Sequence, residues 1–200
     1  MTEHYFSADP ESAEHLRPVA ATVWGLELAL QSAAGVFAAG RLDIGTSVLF
    51  RESDPPTRSG TYLDLGCGYG VIACALAAAV PGADVWALDV NARALRLSAA
   101  NADALGLQSR IHVTDPGGVP EDLRFDEIWS NPPIRIGKQA LHELLLTWLP
   151  KLKTGGRAVL VVSKNLGADS LQKWLGVHGY PCTRLASAKG FRLFEVRRET

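Results

Sequence analysis

Leu63-Asp64-Leu65-Gly66-Cys67-Gly68-Tyr69-Gly70 is the stretch whose reading decides the fold of this chain. Thr61 to Leu65 reads as a buried strand, and the alanine-rich run from Gly70 to Val80 as a helix packed closely on it. The glycines between them let the backbone turn sharply and approach a ligand. A dinucleotide site would place its third glycine one position later, where Val71 stands. Asp64, at the strand end, would repel a pyrophosphate but attract an ammonium group. Asp89 ends the next strand, Asp84 to Asp89, where a carboxylate can hold ribose hydroxyls. The alternative is that the glycines serve only tight helix–sheet packing.

Outward from this loop, strands and helices alternate. A helix from Asn91 to Leu105 is terminated by Gly106, and Arg110 to Thr114 and Phe125 to Asn131 are short strands. The spacing predicts a helix from Lys138 to Leu152, stopped by Lys153-Thr154-Gly155-Gly156. The apolar run Ala158-Val159-Leu160-Val161-Val162 suits a strand covered on both faces. Asp169 to His178 is a further helix, and Pro181 to Ala186 and Phe191 to Val196 form an antiparallel pair around Lys189-Gly190. This is an α/β pattern: a Rossmann-like, doubly wound and mostly parallel sheet with a C-terminal antiparallel strand pair. Before it, Val19 to Trp24 and Leu26 to Gln31 flank Gly25 as a β-hairpin, and a short helix runs through Phe50. Asp54 to Gly60 is turn-rich. The expected division is an N-terminal extension over residues 1–58, packed on a catalytic domain over 59–200.

Trp129-Ser130-Asn131-Pro132-Pro133-Ile134 carries the chemistry. Two prolines cannot continue a helix or a central strand, because each lacks an N–H and has a fixed φ. The strand must stop at Asn131, leaving its amide and nearby carbonyls at the carboxyl edge, where open α/β sheets bind ligands. Rigid acceptors there can grip a planar NH2 group.

Composition describes an ordinary soluble protein: 200 residues, 47% hydrophobic, 20% charged and a formal net charge of -1. No run approaches the roughly 18–20 apolar residues that span a bilayer, and the first residues show neither a basic segment nor an apolar core. Cys67, Cys74 and Cys182 match no zinc spacing, and His4, His15, His112, His142 and His178 are scattered, so no metal site is expected. A reduced, cytoplasmic setting is the simplest expectation.

Together, Asp64-x-Gly66-x-Gly68-x-Gly70, Asp89 and Ser130-Asn131-Pro132-Pro133-Ile134 resemble a class I S-adenosylmethionine-dependent methyltransferase. More narrowly, the chain resembles the small-domain methyltransferases that include the 16S ribosomal RNA guanine-N2 enzymes. His4-Tyr5-Phe6-Ser7, Gly35-Val36-Phe37, Leu42-Asp43-Ile44-Gly45-Thr46 and Asn131-Pro132-Pro133-Ile134-Arg135-x-Gly137-Lys138 share that likeness. The resemblance implies S-adenosylmethionine as cofactor, bound by Asp64, Gly66, Gly68, Gly70, Asp89, Val90, Asp115, Thr46 and Asn131. It implies an exocyclic amine held by Asn131 and the Pro132 carbonyl, with Pro133 and Ile134 completing the catalytic motif. Many members carry an aromatic residue at the position of Ile134, which stacks on a base for roughly 1–3 kcal/mol. The implied partner is 16S ribosomal RNA or the small ribosomal subunit, with no membrane and no metal, the protein being a monomer or homodimer. A protein glutamine amide or a small molecule would use the same acceptors, and a noncatalytic RNA- or ribosome-binding module would keep the same fold. A nicotinamide-dependent oxidoreductase is disfavoured by Val71.

Several residues carry two readings. Asp115 either accepts from the adenine amino group or caps the turn Pro116-Gly117-Gly118. Gly45 and Thr46 lie near the cofactor's methionine end by resemblance, whereas a helix N-cap is the simpler explanation. Tyr5 and Phe6 either close over the site or dock on the core. Arg135 and Lys138 flank the pocket as candidates for RNA phosphates. Lys189, Arg192, Arg197 and Arg198 either extend that patch or form a solvated strand face.

Overall fold

The computed structural model describes residues 16–36 and 41–198. A hairpin of β1 (Leu16–Val23) and β2 (Leu26–Ala33) precedes α1 (Ile44–Arg51). The alternating part follows as β3 (Thr61–Leu65), α2 (Val71–Ala79), β4 (Asp84–Leu88), α3 (Ala92–Ala104), β5 (Ile111–Thr114), β6 (Phe125–Ser130), α4 (Lys138–Trp148), β7 (Leu152–Ser163) and α5 (Ala168–Val177). It closes with β8 (Cys182–Ala188) and β9 (Phe191–Arg197). The large sheet runs β5-β4-β3-β6-β7-β9-β8, and only β9 and its neighbours pair antiparallel. The expected Rossmann-like sheet is therefore present, with its C-terminal antiparallel pair and its N-terminal hairpin.

Topology places the site. From β3 the chain proceeds outward through β4 and β5, then returns to lay β6 on the other flank of β3. That reversal opens a crevice at the carboxyl ends of β3 and β6. Because Asp64 pairs with Trp129, the glycine loop and Asn131 leave the sheet side by side. The Ser130 hydroxyl fastens the two ends by donating to the Leu65 carbonyl at 2.7 Å.

Both faces of the sheet are covered. Along β7, Val159 and Val161 face one apolar cluster, with the hairpin, α1, α2 and α3, while Ala158, Leu160 and Val162 face another with α4 and α5. This is why Ala158 to Val162 is apolar without alternation. The hairpin turns through Trp24 and Gly25 at φ 49 and 80, the backbone of a tight two-residue turn. A tryptophan is an unusual occupant of that conformation, and tertiary contacts hold it. Its indole N–H donates to the Ser53 carbonyl at 2.8 Å, and its ring meets Phe50 and Trp129 edge-on. Asn101 on α3 completes the attachment: it accepts from Gln31 N and donates to the Gln31 and Tyr69 carbonyls, all at 2.8 Å.

The hairpin strands run further from the turn than expected, to Leu16 and Ala33, and one helix boundary differs by several residues. The helix expected to reach Leu152 ends at Trp148, followed by a single 3-10 turn over Leu149–Lys151. Pro150 removes the N–H that a further helical bond needs. Gly155 and Gly156 do not stop a helix; they lie within β7, where pairing to β6 shifts register between Phe125 and Glu127. Gly155 adopts φ 75 there, and a glycine pair serves such a bulge as well as it serves a helix stop.

Candidate active site

Asn131 is the first residue beyond β6 and is 8% exposed. Its amide nitrogen donates to Asp43 Oδ2 at 2.7 Å and to Thr46 Oγ1 at 2.9 Å. A carboxylate accepts but cannot donate, so Asp43 dictates which end of the amide faces it. Oδ1 is thereby turned the other way, as a fixed acceptor. Asp43 itself is fixed by capping α1, where Oδ2 accepts from Thr46 N at 3.1 Å. Thr46 is therefore not the N-cap of that helix; Asp43 is, and Thr46 sits inside the Asn131 cluster. Gly45 belongs here because of size. A Cβ at that position would lie 2.8 Å from Asn131 Oδ1 and 2.9 Å from both Asp43 Oδ2 and Phe191 Cε1.

Pro132 is buried beside Asn131, and its carbonyl accepts no hydrogen bond among the described residues. Pro133 starts a 3-10 turn over Ile134–Ile136, accepting from Ile136 N at 3.1 Å. Ile134 is exposed on that turn, 39% accessible. Arg135 lies on the same turn and Lys138 is the first residue of α4, both exposed.

On the other flank, Gly66, Gly68 and Gly70 all have positive φ, at 78, 55 and 84. Gly66 and Cys67 donate to the Leu88 carbonyl, each at 2.8 Å, which curls the loop against β4. At Gly70 a side chain would run into Ser98, with 2.4 Å to its hydroxyl, so close helix packing also requires that glycine. Asp89 follows β4; it accepts from Gly68 N and Asn91 N, both at 2.9 Å. Val90, next in the chain, is half exposed. Asp115 follows β5 and caps the next turn through Oδ1, accepting from Gly117 N and Gly118 N.

Asp64 is fully buried. Its Oδ2 accepts from Ala73 N at 2.9 Å, while Oδ1 has no partner among the described residues. Burial pushes its carboxyl up to about 8, the Ala73 bond opposing and the nearby Asp89 adding to the rise. The Tyr69 hydroxyl is likewise buried without a partner among the described residues, its pKa raised by burial and by Asp43 and Asp64. Orphaned polar atoms such as these, beside one glycine loop, are what a polar ligand would satisfy. Asp43, Thr46, Gly66, Gly68, Tyr69 and Asn131 line one small hollow. A much larger hollow, of about 570 Å³, opens at the other end of the strands. Four of its charges pair off, Lys153 with Asp126 at 2.8 Å and Arg157 with Glu127 at 3.0 Å, and it lies away from the glycine loop and Asn131, so we place the site at the carboxyl edge.

Basic residues ring that edge. Arg41 precedes Asp43, Lys164 follows β7, and Lys189 lies in the β8–β9 turn. With Arg135 and Lys138 they make five exposed cations, and none of them forms an ion pair among the described residues. Arg192 is tied to Asp169 at 2.9 Å. Arg197 and Arg198 lie at the opposite end of β9; Arg197 pairs with Glu195, and Arg198 donates to the Pro150 and Leu152 carbonyls. Sequence reading assigned no role to Asp43, Tyr69 or Phe191. An aspartate three positions before Thr46 was a helix-start signal, but nothing local announced its bond to Asn131. The motifs at His4 to Ser7 and at Phe37, and the suggested closure by Tyr5 and Phe6, lie outside the described residues.

A glycine loop after β3, an acidic residue after β4 and an Asn-Pro-Pro stop after β6 define a Rossmann-like methyltransferase. The model of the Methyltransferase small domain family matches residues 27–195, and the chain belongs to that family. This bears out the resemblance to class I S-adenosylmethionine-dependent methyltransferases. The chain is 33% identical over 172 residues to YbxB of Bacillus subtilis (strain 168), covering 85% of this chain and 86% of that one. It is 38% identical over 189 residues to ribosomal RNA small subunit methyltransferase C of Ectopseudomonas mendocina, covering 89% of this chain and 55% of the relative. The chain thus spans about half the length of the ribosomal RNA methyltransferases it matches. Among solved structures, the T. thermophilus 16S rRNA N2 methyltransferase RsmC, in complex with AdoMet and guanosine, shares the fold. Its TM-score is 0.78 at 23% identity, covering 92% of this chain and 51% of that one. No helix of the described residues is long and apolar enough to cross a membrane, and no group of three or more His, Cys, Asp or Glu among them could hold a metal ion.

Proposed function

We propose that this chain transfers a methyl group from S-adenosylmethionine to an exocyclic amine, with guanine N2 of 16S ribosomal RNA, in the cytoplasm, as its target. The observation that carries the reading is the locked Asn131 amide. With its nitrogen committed to Asp43 and Thr46, its oxygen is left as a rigid acceptor at the carboxyl edge. The Pro132 carbonyl, which accepts no bond among the described residues, is a second. Together they suit the two N–H bonds of a planar amine, and gripping both turns the nitrogen lone pair toward attack.

The residues fit the cofactor. Asp64 Oδ1, buried and without a partner among the described residues, suits its ammonium group, which would also restore the charge that burial removes. Asp89 suits the ribose hydroxyls, Val90 and Asp115 the adenine, Gly66 and Gly68 close backbone approach, and Thr46 the methionine end. When bound, the sulfonium supplies an already activated methyl group. The chain's own contribution is then to position the amine in line, an effect that can supply much of a rate enhancement. No general base need act first, since the amine proton can leave after transfer.

The cationic rim of Arg41, Arg135, Lys138, Lys164 and Lys189 favours a polyanionic substrate over a glutamine amide. The sequence homologues named as ribosomal RNA small subunit methyltransferases add weight to RNA. The test is labelled S-adenosylmethionine offered with naked 16S RNA, assembled small subunits and total protein. Label recovered as N2-methylguanosine is the expected result, and label only in protein would replace RNA with an amide. Asn131→Ala should abolish transfer with cofactor affinity retained, whereas Asp89→Ala should weaken cofactor binding. Equal loss of cofactor binding in both would refute this division of roles.

A further inference from the structure

In-plane acceptors fix where an amine sits but not the tilt of the ring that carries it; that requires surfaces on the ring's faces. Ile134 offers only an aliphatic surface, and it lies exposed on a single turn. A second neighbour of the acceptor is aromatic. A single carbon added at Gly45 would touch both Asn131 Oδ1 and the Phe191 ring, so the ring edge and the acceptor oxygen flank one narrow gap.

Phe191 reaches this gap from an unexpected element. It is the first residue of β9 and pairs with Ser163, the last residue of β7. On β7, Leu160 faces Ser130 at the end of β6. At about 3.3 Å per residue, Phe191 therefore stands roughly 10 Å beyond the end of β6. It overhangs the carboxyl edge, partly buried, with one side packed against the apolar cluster that the hairpin, α1 and α2 share. Its backbone is held firmly. Lys189 and Gly190 make a two-residue turn at φ 48 and 81, and Lys164 N donates to the Gly190 carbonyl at 2.9 Å.

We infer that Phe191 is the aromatic wall of the substrate pocket, covering the face of the purine whose amine Asn131 holds and replacing the stacking surface that Ile134 cannot provide. Its role is positioning and selection for a planar ring. The inference rests on the proposed methyl acceptor being a nucleobase, and it gives the β8–β9 turn a function that strand pairing alone does not require.

The test compares Phe191→Leu, which keeps apolar bulk, with Phe191→Tyr, which keeps the ring. Guanosine monophosphate is titrated with protein loaded with S-adenosylhomocysteine, and the base H8 proton is followed by NMR. Stacking on an aromatic face moves that resonance upfield. The shift should appear with native protein and Phe191→Tyr and vanish with Phe191→Leu, at unchanged Tm. For 16S RNA, kcat/KM should fall about tenfold to a hundredfold in Phe191→Leu and recover in Phe191→Tyr. A shift and kcat/KM indifferent to Phe191→Leu would overturn the inference, as would no shift with native protein. If RNA receives label but no Phe191 dependence appears, the inference falls and the proposed function stands. If the Phe191-dependent shift appears but RNA receives no label, the pocket is aromatic-walled as inferred and the RNA reading fails.

Discussion

Replacing Asp43 with asparagine isolates what the carboxylate does for Asn131. Asparagine caps helices about as well as aspartate, so the bond from Thr46 N should survive and α1 should remain in place. What changes is the interaction with Asn131. An amide at position 43 can donate as well as accept, so Asn131 is free to turn its nitrogen toward the substrate and repel the amine it should hold. A hydrogen bond to a charged group contributes about 1.5–3 kcal/mol, against about 1 kcal/mol for a neutral one. The lost orientation should therefore amount to about 1–2 kcal/mol, or roughly a 5- to 30-fold fall in kcat. Asp43→Ala removes the cap as well, costing about 1 kcal/mol of stability and lowering Tm by roughly 2–4 °C. Methyl transfer under saturating substrate, calorimetric Tm and cofactor affinity should be measured on both variants. The expected pattern is reduced kcat in both, a lowered Tm only in Asp43→Ala, and cofactor affinity near native. Native kcat in Asp43→Asn would refute the orientation argument, because the cap would then be the whole role of Asp43.

The remaining predictions concern other parts of the cleft. Asp64 is raised from 3.8 to about 8 by burial, so its contribution to stability is fullest below the usual carboxylate range and is lost as pH rises through about 8; a bound ammonium favours the ionised form. Cofactor affinity should rise up to tenfold per pH unit below about 8 and then level off, with proton release seen by calorimetry in buffers of different ionisation enthalpy. Asp64→Asn should flatten the profile, and a flat native profile between pH 6 and 8 would count against the assignment. Charge reversal at Lys138 and Lys164 should weaken RNA binding at every salt concentration. It should also reduce the slope of log affinity on log salt by about 0.7 for each single-strand phosphate that the protein no longer neutralises; an unchanged slope would exclude both lysines from the interface. Asn101→Ala leaves the Gln31 N–H and two carbonyls without their partner. Denaturant unfolding should register a loss of about 2–4 kcal/mol, and a loss below about 0.5 kcal/mol would mean that apolar packing alone holds the hairpin.

What could be read from the sequence is what the chain encodes locally. The glycine loop, Asp64, Asp89 and the Asn-Pro-Pro stop each sit within a few residues of the strand end that gives them meaning, so pattern alone located them. The apolar Ala158 to Val162 announced a doubly covered strand for the same reason. The end of α4 was misjudged because one signal has two uses: Gly155-Gly156 resembles a helix stop, and only pairing with β6 reveals a bulge. Asp43 went unassigned because its decisive partner is 88 positions away. The basic residues near the C-terminus looked alike in the sequence, yet Lys189 and Arg198 lie at opposite ends of β9. The direction of that strand, not its composition, separates the carboxyl edge of the sheet from the far edge.

That Asp43 lies so close also explains why position 131 bears an amide. A carboxylate there would accept an amine's N–H bonds more strongly, and taken alone it is the better acceptor. It would also face Asp43 across the 2.7 Å now bridged by an N–H. Two carboxyls at that separation cannot both ionise, so one would keep a proton near neutral pH. The shared proton would lie between them and remove the orientation that the Asn131 nitrogen now secures. Asn131→Asp should therefore be impaired despite being nearly isosteric, and activity should return in part when Asp43 is changed to asparagine in the same chain. The double variant exchanges amide and carboxylate but keeps one of each, so the site would again hold one donor and one charge. If Asn131→Asp alone were fully active, the fixed neutral acceptor would not be what the cleft is built around. If the double variant were no better than the single, Asp43 would matter for something other than its bond to residue 131.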